Sequence, residues 1–187
     1  MSIKFSHTSL EGVVVLIAPR FEDARGWFAE TWNDRDARRL GLDFDFVQDN
    51  HSFSAAKGTL RGLHYQRPPR AQDKLVRCTR GSILDVCVDI RVGSPTFGRC
   101  EAIELSAGNG RQLLVPKGFL HGFVTLEPDT EVQYKCSDYY SPEHDGCVRW
   151  DSLDIPWGIE SPVISAKDAS APPFSDFQSP FIYGAAP

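Results

Sequence analysis

The amino-acid sequence predicts an all-β protein with short helices. Its 187 residues suit one domain, 1–187, with a sizeable core. The 15 glycines and 13 prolines are spread along the whole chain and separate short runs with strand character. Many short strands divided by turn residues every ~8–12 positions are typical of an antiparallel sandwich or barrel.

Residues 82–90 show the strand pattern most clearly, because their apolar positions alternate with a period of two. One face comprises Ser82, Leu84, Val86, Val88 and Ile90, and the other Ile83, Asp85, Cys87 and Asp89. Further runs with strand character lie at 12–17, 100–105, 111–115, 122–126 and 131–136. We therefore expect antiparallel strands at these positions.

One helix is predicted from Asn33 to about Leu40. Asn33 is a good cap residue, two aspartates fall in the first turn and two arginines fall in the last, which complements the helix dipole. The proline-containing tail after Ala171 predicts either an extended strap across the body or a partly ordered end.

The composition excludes several classes of function. Hydrophobic residues make up 41% and charged residues 24%, which is an ordinary globular balance. The net charge of −5 argues against a nucleic-acid partner. No apolar run reaches the ~20 residues of a membrane span, and the start lacks the apolar core of a secretory signal. The five cysteines lack CxxC spacing, so free thiols in a cytoplasmic protein are expected.

Basic residues cluster between Arg61 and Arg80. This stretch holds six of them, at 61, 67, 70, 74, 77 and 80, and a single acid, Asp73. On composition alone, a solvated strand face is the favoured interpretation. The alternative is an electropositive pocket for a small anion such as a diphosphate.

Residues 110–121 carry the spacing of the second cupin motif, G-x5-P-x-G-x2-H. The Pro-x-Gly turn joins two strands, and the histidine that follows, His121, is then directed into the barrel. Residues 58–64 match the opening of the first cupin motif, which ends here at His64. The sequence thus resembles the cupins, which implies a cupin-type jelly-roll barrel.

The first cupin motif then departs from its usual form. Gln66 occupies the place of the second histidine, and Lys74 occupies the place of the glutamate. Divalent transition metals bind several neutral imidazoles and carboxylates, whereas a lysine cation repels them. Of the remaining histidines, only His51 is a candidate ligand, since His7 and His144 lie in a terminal segment and an acidic turn. We therefore predict no metal and no other cofactor.

Further segments follow one another in the order and spacing of a known enzyme family. They are 23–30 (DARGWFAE), 48–52 (QDNHS), 60–66 (LRGLHYQ), 74–76 (KLV), 85–91 (DVCVDIR), 93–98 (GSPTFG), 116–123 (PKGFLHGF), 134–135 (YK), 138–140 (DYY) and 167–168 (KD). Across most of its length the chain resembles the dTDP-4-dehydrorhamnose 3,5-epimerases. Each segment alone is a weak signal, but together they are highly specific.

The resemblance implies an isomerase that inverts C3 and C5 of dTDP-4-dehydro-6-deoxyglucose, in dTDP-rhamnose and surface-polysaccharide synthesis. Both carbons flank the C4 ketone, so the chemistry needs a base, a group that stabilises the enolate and an acid on the opposite face. The alternatives are a single-site epimerase (C3 or C5) of another 4-keto-deoxysugar nucleotide, a ketoisomerase of the same fold, and a non-catalytic sugar-binding cupin.

Four residues are the candidate catalytic groups. His64 is the best base, because an imidazole has an unperturbed pKa of ~6.5. Lys74 supplies the positive charge that stabilises an enolate, and Tyr134 is the acid that the resemblance implies. Asp168 matches the carboxylate of the family that orients the histidine. Each has a structural alternative: a core histidine, a surface lysine, a core aromatic and a helix-capping aspartate.

The resemblance also implies a set of substrate-binding positions. They are Arg25, Glu30, Gln48, Asp49, Asn50, Arg61, Lys74, His121, Tyr140, Asp145 and Lys167. Arg25 and Arg61 suit phosphate oxygens, and Tyr140 suits stacking on the base. Asp145 replaces the usual glutamate of the family, so its arm is shorter. By contrast, Asp85 is interpreted as structural support.

A homodimer is the expected assembly. Family members are dimers in which N-terminal strands reach the neighbouring subunit. If this feature carries over, Arg25 and Glu30 complete the site of the partner. The only other partner expected is the nucleotide sugar itself.

Overall fold

The computed structural model describes residues 3–185 as thirteen β-strands and very short helices. The strands are β1 (Lys4–His7), β2 (Val14–Ile17), β3 (Phe21–Asp23), β4 (Gly26–Phe28), β5 (Gln48–Ser54), β6 (Leu60–Gln66), β7 (Lys74–Arg80), β8 (Ser82–Asp89), β9 (Cys100–Ser106), β10 (Arg111–Val115), β11 (Phe119–Thr125), β12 (Thr130–Cys136) and β13 (Asp145–Cys147). The helices are α1 (Asp34–Arg39), α2 (Ala166–Ala169) and a 3-10 turn (Phe174–Asp176). None of the helices in this part of the chain has the length and apolarity needed to cross a membrane.

Two antiparallel sheets enclose the core. The six-stranded sheet has the order β1-β2-β10-β7-β12-β5, and the five-stranded sheet has the order β13-β6-β11-β8-β9. The main apolar cluster takes Val76 and Leu113 from the first sheet and Ile83, Cys87 and Phe119 from the second. The core therefore lies between two facing sheets, which is a jelly-roll sandwich and confirms the all-β prediction.

The alternation predicted for residues 82–90 is confirmed by the packing of β8. Ile83 and Cys87 enter the core between the sheets. Val86 and Val88 face the other way, into a second apolar cluster on the outer side of the five-stranded sheet. The tail covers this outer cluster with three phenylalanines, Phe174, Phe177 and Phe181. Of the two alternatives for the tail, the strap is the one observed.

The predicted helix is confirmed with its cap. The Asn33 side chain accepts a hydrogen bond from the backbone N–H of Asp36 at 3.2 Å, which satisfies one free donor of the first turn. Ala37 is buried with Leu75 and Leu114. Helix α1 therefore covers the outer side of the six-stranded sheet and leaves the inner side free to line a cavity.

Strands β5, β6 and β7 were not among the runs identified from alternation. Polar side chains interrupt their inner faces, including Asn50, His64 and Lys74, although Val76 of β7 still enters the core. The polar positions therefore weaken the period-two apolar pattern of these three strands. All five cysteines are free as expected, although Cys100 and Cys147 are only half-buried.

Candidate active site

Two adjoining cavities of about 430 and 360 Å³ open between the sheets. Both are lined by His64, Lys74, Tyr134 and Lys167. Lys74 and Tyr134 lie on adjacent strands of the six-stranded sheet, whereas His64 lies on the five-stranded sheet. The structure therefore brings three of the predicted catalytic groups together from opposite walls.

A β-bulge in β6 directs two charged residues into the same cavity. Across from β11, Arg61 is opposite Phe123 while His64 is opposite His121, so β6 has one residue more than its partner in this interval. Strict alternation would place residues 61 and 64 on opposite faces, but the bulge lets both line the larger cavity. Gly62 makes the bulge possible, because its φ is +129° and a Cβ there would come within 2.6 Å of the facing strand.

His64 is paired with a buried carboxylate. Its Nε2 lies 2.7 Å from Oδ1 of Asp168, a residue on α2 that is only 3% exposed. Burial acts to raise the pKa of Asp168, but hydrogen bonds from His64 and from the backbone N–H of Gly62 outweigh it and lower the pKa. Because an ionised carboxylate only accepts, Nε2 donates the proton and Nδ1 keeps its lone pair.

A second histidine–carboxylate pair lies beside the first. His121 is the cross-strand partner of His64 and also lines the larger cavity. Its Nε2 lies 2.8 Å from Oδ1 of Asp85, which is fully buried. Oδ2 of Asp85 has no hydrogen-bond partner within residues 3–185. Asp85, interpreted from the sequence as structural support, therefore contacts a residue of the cavity wall.

Lys74 is a half-buried cation that lines both cavities and has no ion-pair partner in the described part of the chain. Burial lowers the pKa of its ammonium group, and the negative potential of Cys136, Asp145 and Asp85 partly opposes that effect. An ammonium group that faces a cavity and lacks a fixed counter-ion is available to a negatively charged group of a ligand. This position suits the stabilisation of a developing negative charge.

Tyr134 presents a phenol from the six-stranded sheet. Burial raises the pKa of this phenol, and the nearby Cys136 adds to the effect while Arg61 opposes it. The raised pKa keeps the group protonated over the neutral range, as a proton donor requires. Its ring also packs against the core, so the aromatic body holds the hydroxyl in place.

Asp145 organises the mouth of the smaller cavity. Its Oδ2 accepts a hydrogen bond from the Tyr140 hydroxyl at 3.1 Å and another from the Lys167 ammonium group. The carboxylate raises the pKa of both partners, since it favours their protonated forms. The backbone N–H of Tyr140 also donates to the Gln48 side chain at 3.0 Å. An exposed tyrosine is thus held at the edge of the cavity.

The structure gathers most of the predicted site residues around these two cavities and leaves three outside. The residues that line one or both are Gln48, Asn50, Arg61, His64, Lys74, His121, Tyr134, Tyr140, Asp145, Lys167 and Asp168. Arg25 and Glu30 contact residues of their own N-terminal segment. Asp49 forms an ion pair with Lys135, away from both cavities.

Several lining residues were not identified from the sequence. They are Ser52, Thr59, Leu60, Tyr65, Gln66, Gln72, Phe123, Cys136, Val163, Ile164 and Ser165. Small polar and apolar residues of these types occur throughout the chain, so only their position in the fold marks them. The exception is Gln66, whose place in the cupin motif signals an unusual role.

The donor set does not fit a divalent metal. The side-chain amide of Gln66 is directed at backbone groups of two loops, and Lys74 brings a positive charge to the cavity. Among residues 3–185, no group of three or more His, Cys, Asp or Glu side chains is arranged to hold a metal ion. The imidazole, phenol and ammonium groups that line the cavities are of types that can donate or accept protons.

The fold and the cavity define a jelly-roll protein of the cupin class, whose cavity carries histidine, tyrosine and lysine side chains. The chain belongs to the dTDP-4-dehydrorhamnose 3,5-epimerase family, because the family model of that description matches residues 7–176. The resemblance drawn from the sequence is therefore confirmed.

Individual relatives agree with this assignment. A dTDP-4-dehydrorhamnose 3,5-epimerase of Sinorhizobium fredii is 49% identical over 91% of this chain and 89% of its own length. The crystal structure of a Legionella pneumophila dTDP-6-deoxy-D-glucose-3,5-epimerase in complex with dTDP-4-keto-L-rhamnose matches with a TM-score of 0.92 and 39% identity, covering 98% of this chain and 100% of that one. A 3'-monoepimerase from Streptomyces bikiniensis in complex with dTDP-quinovose matches with a TM-score of 0.84 and 34% identity, covering 90% and 86%.

Proposed function

We propose that this protein is a dTDP-4-dehydrorhamnose 3,5-epimerase, which inverts C3 and C5 of dTDP-4-dehydro-6-deoxyglucose. Family membership supports the substrate class and the type of reaction. The observation that carries the mechanism is the arrangement of His64, Lys74 and Tyr134 on opposite walls of one cavity. Inversion beside a ketone requires a base on one face of the sugar and a donor on the other, and this arrangement supplies both.

The proton transfers follow from the two walls. Nδ1 of His64 takes the proton from the carbon next to the C4 ketone, while Asp168 holds the ring and stabilises the imidazolium that forms. The ammonium group of Lys74 stabilises the negative charge on the C4 oxygen of the enolate. The Tyr134 hydroxyl returns a proton from the other sheet, which inverts the centre. His64 then releases its proton to solvent and Tyr134 regains one from solvent, so that a second cycle at the other carbon completes the reaction.

In this proposal the base of the nucleotide lies in the smaller cavity, and the diphosphate reaches Arg61 in the larger one. Arg61 binds phosphate oxygens, because a guanidinium group offers two parallel donors. Tyr140 stacks on the base at the exposed edge, where Asp145 and Gln48 hold it. Asn50, His121 and Lys167 supply the remaining polar contacts of the bound sugar nucleotide.

Epimerisation at a single carbon is the second candidate function. The similarity to a structure described as a 3'-monoepimerase supports it, since the same fold accommodates that activity. A non-catalytic sugar-binding protein would not need an unpaired lysine opposite a histidine–carboxylate pair in one cavity.

Deuterium incorporation separates these candidates. The protein is incubated with dTDP-4-dehydro-6-deoxyglucose in D2O, and the label is located by NMR. Label at both C3 and C5 with inversion is the expected result, whereas label at one carbon selects the single-site activity. Absence of exchange with any 4-keto sugar nucleotide would contradict an enzymatic role.

Two variants and one treatment test the assigned roles. Tyr134→Phe is expected to allow exchange while blocking inversion, because the base remains and the opposite donor is lost. Lys74→Ala should reduce kcat by about 10²–10³-fold, as the loss of one preorganised donor to an oxyanion does.

Exhaustive chelation should leave turnover unchanged. A loss of turnover that the addition of one metal restores would contradict metal independence.

We also propose that the protein works as a homodimer in which Arg25 and Glu30 reach the cavity of the partner. Both lie outside the cavity of their own chain, on or beside the β3–β4 hairpin, which pairs only with itself in the described residues. This hairpin exposes Phe21, Trp27 and Phe28, an apolar surface suited to an interface.

Subunit complementation tests the shared site. Mixing His64→Asn and Arg25→Ala dimers under exchange should restore about a quarter of wild-type activity, because half of the dimers are then mixed and one site in each is intact. No recovery with confirmed exchange would place Arg25 outside the site of the partner.

We further propose that residues 1–187 form one domain. We also propose that the protein resides in the cytoplasm, which the five free thiols support.

A further inference from the structure

Gln66 ties two loops together at the edge of the smaller cavity. It is the last residue of β6, two positions after His64, and only 5% exposed. Its amide nitrogen donates to the backbone carbonyl oxygens of Arg70 at 2.6 Å and Tyr139 at 3.2 Å. Its amide oxygen accepts from the backbone N–H of Ser141 at 2.7 Å. Every strong hydrogen-bonding direction of this amide except one lone pair is therefore used on the backbone.

These contacts lie on both sides of Tyr140. Residues 139 and 141 are held by Gln66, and the intervening Tyr140 is held by Gln48 through its backbone N–H and by Asp145 through its hydroxyl. The tyrosine ring itself is exposed, at 57% of its full accessible area. An exposed ring with few packing contacts keeps its position only if its backbone is fixed.

We infer that Gln66 is a positioning residue for nucleotide binding, acting through the backbone of residues 139–141 on the ring of Tyr140. The inference rests on the proposed function, in which this ring stacks on the base. At the position where the cupin motif has a metal-binding histidine, this chain therefore has a residue with a different role. The Gln66 amide contacts the backbone of the loop that meets the nucleotide. It contributes to substrate affinity and not to proton transfer.

Two variants of Gln66 probe this role. Gln66→Ala removes all three contacts. Gln66→Glu is nearly isosteric and still accepts from Ser141, but it places an acceptor against the carbonyl oxygens of Arg70 and Tyr139. In both, KM for dTDP-4-dehydro-6-deoxyglucose and Kd for dTDP should rise about tenfold, within the range that one base–aromatic stack provides, while kcat changes less than about twofold. The glutamate variant keeps the test valid if the alanine variant folds poorly.

Asn109→Ala is the matched control. The Asn109 amide also makes three backbone contacts, to Glu104, Ser106 and Arg111, but in a loop that lines neither cavity. Its removal should leave KM and Kd unchanged, which separates loss of position at Tyr140 from a general loss of loop stability.

A double-mutant cycle with Tyr140→Ala decides the inference. If Gln66 acts through the tyrosine ring, Gln66→Ala in the Tyr140→Ala background should change KM and Kd less than about twofold. A penalty that persists in full in that background, or a fall in kcat with KM unchanged, would overturn it. Failure of the proposed function is recognised separately, because the wild-type protein would then neither convert the sugar nor bind dTDP, and that result overturns this inference as well.

Discussion

The two histidine–carboxylate pairs of the cavity share their geometry but differ in their surroundings. His64 and His121 are cross-strand partners, and each holds a carboxylate through Nε2, at 2.7 and 2.8 Å. The His64 side chain is 31% exposed, whereas that of His121 is 8% exposed. Asp168 has a second donor in the Gly62 backbone, whereas one oxygen of Asp85 has no partner in the described chain.

This difference indicates that the two pairs have different roles. A base must reach the substrate, and His64, the proposed base, is the more exposed of the two; its carboxylate also has a further donor in the Gly62 backbone N–H. Asp85 depends on a single histidine to compensate its burial. We therefore expect activity to depend mainly on the His64 pair, and stability of the fold to depend mainly on the His121 pair.

The largest expected effect is on turnover. His64→Asn should lower kcat by about 10³-fold or more, because the general base is lost. His121→Asn should lower it by only about tenfold, since a substrate contact is altered while the base remains. Steady-state kinetics and deuterium exchange at C3 and C5 measure both. Equal losses in the two variants would mean that both imidazoles exchange protons with the sugar.

The order reverses for the free energy of unfolding. His121→Ala leaves the Asp85 carboxylate buried without a compensating donor, which should cost about 3–5 kcal/mol. His64→Ala should cost only about 1 kcal/mol, because Asp168 keeps the Gly62 donor. Urea unfolding at pH 7 measures the difference, and a larger loss in His64→Ala would contradict the structural role of the His121 pair.

The carboxylates should differ in their effect on catalysis. Asp168→Asn should lower kcat by about 10²-fold, because an amide no longer requires Nε2 of His64 to carry the proton and the wrong tautomer becomes available. Asp85→Asn acts on a histidine that is not the base, so kcat should change less than about tenfold. Turnover of Asp168→Asn at the wild-type rate would show that His64 is oriented by other contacts.

The smallest effect is the pH dependence of stability. Because the pKa of Asp168 is lowered in the folded protein, its ionised form stabilises the fold above the ordinary value of 3.8, and this contribution is lost as pH falls through the lowered pKa. The stability gap between wild type and Asp168→Asn should therefore narrow below pH 3.8. A gap that stays constant from neutral to acidic pH would show that ionisation of Asp168 does not stabilise the fold.

Much of the fold and the centre of the site could be predicted from local patterns. The apolar alternation of residues 82–90 and the cap at Asn33 depend on neighbouring residues only, and both were confirmed. The cupin spacing located His64, which lines both cavities. The absence of a metal, inferred from the replacements at Gln66 and Lys74, stays a prediction. Strands β5, β6 and β7 were not visible in the pattern, because polar side chains that line the cavities interrupt their apolar alternation.

The positions of individual side chains were harder to predict. Asp49 belongs to a segment that resembles the family, yet it faces away from the cavity while its neighbour Asn50 lines it. Asp85 looked like one more polar residue in a core strand, and only its contact with His121 reveals a second pair. The alternation of side chains predicts which residues share a face of a strand, but it does not predict which residues of other strands that face contacts.

The sequence by itself determined the chemical groups and the local turns that carry them. Residue types and short spacings are enough for this, since a Pro-x-Gly turn or a helix cap forms among adjacent residues. Only the tertiary structure decided which groups meet. His64 and Asp168 are 104 residues apart, and their contact depends on the register of β6 and β11 and on the bulge at Gly62. A shift of one residue in that register would turn His64 to the other face, because successive side chains of a strand alternate.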